Sequence, residues 1–308
     1  MREVLQQMKT KQPWEDTMPT KNAVLVVLLA LFLLCGCGKK NWHSSWQEAA
    51  PASRSAQGEQ LYAEARKKLD QAADLESIMA SMELLQRVVT ADPAHREALA
   101  YLGNIHILLG TAYTADREEK IAHFHQAMKY CELSMYGNPQ FRTAVKGGQK
   151  PWEAAHTLRA EDAPAMLFWV TALQYEFKEG MTLPEKIINV GWLKYGIIFL
   201  NRIKQVAPEY GNGAVEFAYS ICYLALPSFL GGDTDLGKAY LEKSIASGKG
   251  YLLPRWGKGK YFYQVTGDRQ SARKDLRWVA SQRPEDYKDL YPWRIYFIAD
   301  ARVQLEAL

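Results

Sequence analysis

The chain has 308 residues, 48% of them hydrophobic and 23% charged, with a formal net charge of +4. An apolar fraction this high excludes a disordered chain, and so mild a charge gives no basis for nucleic-acid binding, which needs a concentrated basic face. Of four cysteines, two lie in the N-terminal segment, so the rest of the chain has at most one disulfide and no thiol metal cluster.

In chain order, the first element is an apolar run from Ala23 to Leu34 that ends in Leu34-Cys35-Gly36-Cys37. The run is shorter than the roughly 20 apolar residues a spanning helix needs. Gly36 is the small residue that a lipoprotein signal peptidase requires before a lipidated cysteine, whereas Leu34 before Cys35 is too bulky. Residues 1–36 therefore read as a lipoprotein signal peptide, and Cys37 is expected to carry diacylglycerol and an N-acyl chain. Arg2 to Thr17 mix acids with bases, and a start at Met18 restores the usual order of basic segment and apolar core. Lys39 and Lys40 follow the anchor, where they would lie near lipid head groups, and Gly38 is not a retention-type acid. The expectation is a lipid-anchored protein of the bacterial cell envelope, at the outer membrane and facing the periplasm.

Residues 37–58 form the expected lipidated tether, rich in Ser, Ala, Gln and Pro from Asn41 onward. Trp42 and Trp46 are its exceptions, suited either to the membrane surface or to docking back on the fold. Residues 59–308 are the folded domain, with helical periodicity already starting at Ala56. Ala56 to Asp70, Leu75 to Thr90, Arg96 to Leu109 and Arg117 to Tyr136 show apolar residues three and four apart, broken by Asp-Pro, Gly or Asn-Pro. No stretch alternates with period two. Four sets of a small residue, a larger one and a proline recur at one spacing: Ser81, Leu85 and Pro93; Ala127, Cys131 and Pro139; Gly196, Leu200 and Pro208; Ala272, Leu276 and Pro284. That spacing belongs to the second helix of a tetratricopeptide repeat, where the small residue admits the partner helix. The expected fold is all-α, a superhelix of degenerate tetratricopeptide-like hairpins. Cys131 and Cys222 sit among apolar neighbours, where a small core residue competes with a bridge.

Gly211-Asn-Gly-Ala-Val-Glu-Phe-Ala-Tyr219, Leu226-Pro-Ser-Phe-Leu-Gly-Gly-Asp233 and Gly237-Lys-Ala-Tyr-Leu-Glu-Lys-Ser-Ile-Ala-Ser-Gly248 resemble the T component of TRAP transporters, lipoproteins of the TatT type. Glu161-Asp-Ala-Pro-Ala-Met-Leu-Phe-Trp169, Gly267-Asp-Arg269 and Tyr291-Pro-Trp-Arg-Ile-Tyr-Phe-Ile-Ala-Asp-Ala-Arg302 extend the resemblance along the chain. The second repeat departs from it by extra residues around Thr111 to Glu118, and the portion up to Asp92 matches only as generic helical repeats. The resemblance implies a helical homotrimer with a channel or cleft through each protomer. It also implies a partner, the substrate-binding P component of a TRAP importer, and a small organic or apolar ligand.

Individual residues offer no catalytic constellation. His123 and His125 are two apart and point in different directions on a helix; His106 lies in an apolar helix and suits the core. Asp233 and Asp235 near Ser228 suit turn and cap positions. No metal site and no cofactor beyond the lipid is expected, nor an enzymatic activity. Candidate ligand-binding residues are the aromatics Phe168, Trp169, Tyr175, Trp192 and Tyr195, which fit either a core or a lined hollow. Arg255, Trp256 and Lys258 join them, from a stretch, Lys249 to Tyr263, in which bases alternate with aromatics. That stretch suits a solvated turn, a rim for an acidic ligand or partner, or lipid contact. The alternative function is a tetratricopeptide scaffold lipoprotein for envelope assembly.

Overall fold

A computed structural model describes residues 39–44, Trp46 and 56–308, apart from the side chains of residues 264 and 265. The expected signal peptide, the start at Met18 and acylated Cys37 lie outside these residues. Residues 42–308 form one compact unit, distinct from residues 1–41, of which only the irregular stretch 39–41 is described.

Every regular element among the described residues is helical. The first pairs are α1 (Ala56–Leu69) with α2 (Leu75–Ala91), and α3 (Arg96–Leu108) with α4 (Arg117–Tyr136). A short α5 (Pro139–Lys146) leads to α6 (Ala163–Tyr175), α7 (Leu183–Asn189) and α8 (Leu193–Val206), with α6 packed on α8 and also on α3 and α4. Next come α9 (Ala214–Ala225) paired with α10 (Thr234–Ser247), and the short α11 (Leu253–Gly257) and α12 (Tyr263–Thr266). The last pair is α13 (Arg269–Ala280) with α14 (Tyr291–Ala307).

Local chemistry sets the helix starts. Asp74 and Ser77 form a reciprocal capping box on α2, and Asp116 accepts from the amides of Glu118 and Glu119 at the start of α4. Asn138 accepts from Gln140 N and Phe141 N, and Asp233 accepts from Leu236 N at 2.9 Å. Each such cap satisfies backbone donors that have no partner within the helix. Asp233 thus has the capping duty expected for it.

The small-and-large sets fall in α2, α4, α8 and α13, with Ser81, Leu85, Ala127, Cys131, Gly196, Leu200, Ala272 and Leu276 all buried. Each helix ends before its proline is reached, and Pro139 opens α5 as its first residue, where a missing N–H costs nothing. On the facing helix of α4, Gly103 does the work of close approach: a Cβ there would lie 2.7 Å from Cys131 Sγ and 3.1 Å from Ala127 O. Cys131 and Cys222 are both buried and free, so the bridge is not formed.

Trp42 and Trp46, read as part of the tether, are docked on the folded unit. Trp46 is 7% exposed, stacked on Tyr136 at 5.7 Å and edge-on to Phe141, and Trp42 donates its indole N–H to Glu132 at 3.1 Å.

Candidate functional site

Among the described residues, three helices run on into a π-helical turn: Leu109–Tyr113 after α3, Glu176–Gly180 after α6 and Lys258–Phe262 after α11. A π turn inserts one residue into the helical register, so the side chains beyond it are re-aimed, and such turns gather at functional sites. Here all three feed one cluster. The first of these turns includes Thr111 to Tyr113 of the stretch Thr111 to Glu118.

Thr111 donates to Glu179 Oε1 at 2.9 Å, and Lys120 of α4 donates to Glu179 Oε2 at 2.6 Å. Thr111 Oγ1 also meets the Tyr296 hydroxyl of α14 at 3.3 Å. Lys260 donates to that hydroxyl at 3.2 Å and to Asp300 Oδ1 at 2.9 Å, and Trp256 gives its indole N–H to Asp300 Oδ2 at 2.7 Å. One hydrogen-bonded chain therefore runs from Lys120 through Glu179, Thr111, Tyr296 and Lys260 to Asp300 and Trp256. Its two lysines and two carboxylates balance. The Lys260 ammonium faces three rings, Trp256 at 4.9 Å and Tyr261 and Tyr296 at 5.6 Å each, so cation–π attraction adds to its ion pair.

Burial pushes the hydroxyls of Tyr175, Tyr261 and Tyr296 well up, and neighbouring acids push them in the same direction. These tyrosines stay protonated at any ordinary pH and offer hydrogen bonds, not a base. Lys178, over the Tyr261 ring at 5.6 Å, is shifted down by burial and by the nearby charges of Lys186 and Lys260. Thr111, Lys120, Glu179, Lys260, Tyr261, Tyr296 and Asp300 all keep part of their surface accessible. The cluster thus presents rings and fixed polar atoms that are hydrogen-bonded to one another.

The residues singled out in the sequence are distributed over several places. Tyr175 stacks with Phe124 at 5.9 Å and with Trp293 at 6.4 Å beside the π-turn cluster, and Trp256 belongs to it. Trp169, 0% exposed, is core: it packs on Phe199 at 4.9 Å and gives its N–H to the same Glu132 oxygen that Trp42 uses. Trp192 and Tyr195 gather instead around Trp152, Tyr195 stacking on it at 4.0 Å and Trp192 meeting it edge-on at 5.3 Å. Phe168 lies apart, beside Tyr101 at 6.4 Å. Arg255 lies over Trp278 at 4.2 Å and pairs with Asp275 at 3.3 Å, while Lys258 pairs with Glu242 at 2.7 Å.

Lys260, Asp300, Tyr296, Glu179 and Thr111 were not among the sequence candidates. Their signal was weak, because a π turn has no composition of its own. The histidines pair across helices: His106 Nδ1 of α3 and His123 Nδ1 of α4 are 2.9 Å apart, and His125 meets Glu176 at 2.8 Å. No group of three or more metal-ligating side chains occurs among the described residues. No protein-family model matches the chain, and no curated protein matches it.

Proposed function

We propose that this chain is a lipid-anchored accessory component of a TRAP-type importer, non-enzymatic and trimeric, whose tetratricopeptide-like hairpins bind the substrate-binding P component and a small organic ligand. The observation that carries the reading is the π-turn cluster. Protonated tyrosines and charges already paired with one another serve retention of a guest better than acid–base or nucleophilic chemistry, which needs an unsatisfied base beside a nucleophile.

The segments that resemble the importer family support the same reading, because they fold together. Gly211-Asn-Gly213 turns into α9 with Gly213 left-handed at φ 92°, and Ser244 of α10 donates to Gly213 O at 2.6 Å. A Cβ at Gly213 would strike Ser244 O, so glycine is required for both its φ and its space. Between α9 and α10, the turn from Leu226 to Asp233 presents Phe229 at 83% exposure.

Native mass spectrometry of protein released gently from its membrane, alone and with a TRAP substrate-binding P component, tests the proposal. A trimer carrying a small organic molecule and binding the P component is the expected result. An empty monomer indifferent to the P component overturns it, and capture of an envelope protein's tail in its place would favour the assembly scaffold.

A further inference from the structure

We infer that the face carrying α5 and the loop after it, together with Trp42 and Trp46, is a docking surface for an anionic lipid bilayer. The inference rests on the lipid-anchor reading for its setting and on the folded unit for its chemistry.

Between Gly137 and Trp152 the chain contains Arg142, Lys146 and Lys150 and no acid. Folding sorts that composition by side. Phe141 and Val145 of α5 are buried, whereas Lys146 through Lys150 are exposed and Arg142 is half-exposed, its guanidinium 5.7 Å from the Tyr136 ring centre. Lys150 stands 5.6 Å from the Trp152 ring. Between Trp42, Trp46, Tyr136 and Lys146 opens a recess of about 430 Å³, with Ser44 and Gln149 on its wall. Such a site offers a phosphodiester head group cations and hydrogen-bond partners over an aromatic floor.

Chain connectivity limits how far an anchor at Cys37 can lie from Trp42. Trp42 follows Cys37 by five residues, a stretch that reaches at most about 18 Å even when fully extended. Because Trp42 is fixed to Glu132, and Trp46 to Tyr136 and Phe141, the linkage leaves no long free tether at this point. An acylated Cys37 would therefore lie within that covalent reach of Trp42. Each base close to an anionic leaflet contributes roughly a fivefold preference, and three together about a hundredfold.

Hydrogen exchange of the mature protein, added to vesicles of phosphatidylcholine alone or of phosphatidylcholine with phosphatidylglycerol, reads the surface directly. We expect the protein to bind vesicles up to about a hundredfold more tightly when phosphatidylglycerol is present, amides in 139–150 to exchange more slowly only then, and both effects to be lost at high salt. The triple variant Arg142→Gln, Lys146→Gln, Lys150→Gln, altered only at accessible positions, should lose the protection while keeping its circular dichroism. Equal exchange in both vesicle types, or protection that survives in the triple variant, overturns the inference. The mass of the Cys37 peptide reports acylation separately. A chain found unacylated refutes the anchor, while the same vesicle comparison still decides the surface.

Discussion

His106 and His123 present their Nδ1 atoms to each other at 2.9 Å, a separation that accommodates one proton and not two. Burial, helped by the charge of His123, brings His106 down to about 4, and burial lowers His123 too although Glu119 opposes it. Tyr130 stacks on His106 at 5.5 Å and keeps water from one side of the ring. The sign follows from linkage: between pH 6.5 and about 4 the unfolded chain takes up a proton at His106 that the folded chain refuses. Stability from this group is thus complete above pH 6.5 and is lost as pH falls, by about 3 kcal/mol at most. Urea unfolding of His106→Gln from pH 7 to pH 4 should show a flatter decline than the parent protein, and parallel curves would refute this account. Gly103 gives a second test at the same pair of helices. Gly103→Ala forces a methyl onto Cys131 Sγ, and overpacking of this kind costs about 1–3 kcal/mol, read as a fall in thermal midpoint.

Among the elements, the three π turns matter most, because they join α3, α4, α6, α11 and α14 through side chains and not merely through apolar contact. Lys260 and Asp300 are each 12% exposed, so removing one charge leaves the other in a poor environment. Lys260→Met and Asp300→Asn should each cost about 2–4 kcal/mol, and the double variant less than their sum, with a coupling of about 1–3 kcal/mol. Denaturant curves for the four proteins decide it; strict additivity would mean that the pair is independent. The sequence showed some of these elements well. α4 was legible at both ends because Asp116 caps it and Gly137-Asn138-Pro139 closes it. The π turns were not legible, since they shift the register without ending the helical pattern, and the glycines within them, Gly110, Gly180 and Gly259, carry no signal specific to a π turn. In Lys249 to Tyr263 the alternation of bases and aromatics looked like one surface, yet Lys258 pairs outward with Glu242 while Lys260 turns to Asp300 and the rings. Nor could spacing within one helix reveal His106 and His123, which lie 17 residues apart on neighbouring helices. The aromatics of α6 to α8 illustrate the same point: as a run they fitted either a core or a lining, and folding sent Trp169 to the core, Tyr175 to the cluster and Tyr195 to Trp152.

For the folded unit as a whole, α14 is the element expected to set the cooperativity. Stacked hairpins pass stability only between neighbours, so their ends can unfold while the middle survives. This chain breaks that rule by bringing its last helix back: Trp293 donates its indole N–H to Asn104 of α3 at 3.0 Å across 189 residues, and Tyr296 meets Thr111. Trp293 is 8% exposed and packs edge-on to Tyr296 and against Phe297, so truncating it removes both the long-range bond and a large buried ring. Trp293→Ala should cost about 3–5 kcal/mol. Its diagnostic effect lies elsewhere. If α14 is what couples the two ends, hydrogen exchange in the variant will separate into two opening units: α13 and α14 exchange early, while α3 and α4, still held by Gly103 against Cys131, keep most of their protection. A variant that loses protection uniformly would show instead that coupling runs through the chain of adjacent hairpins, with α14 as one packing partner among others.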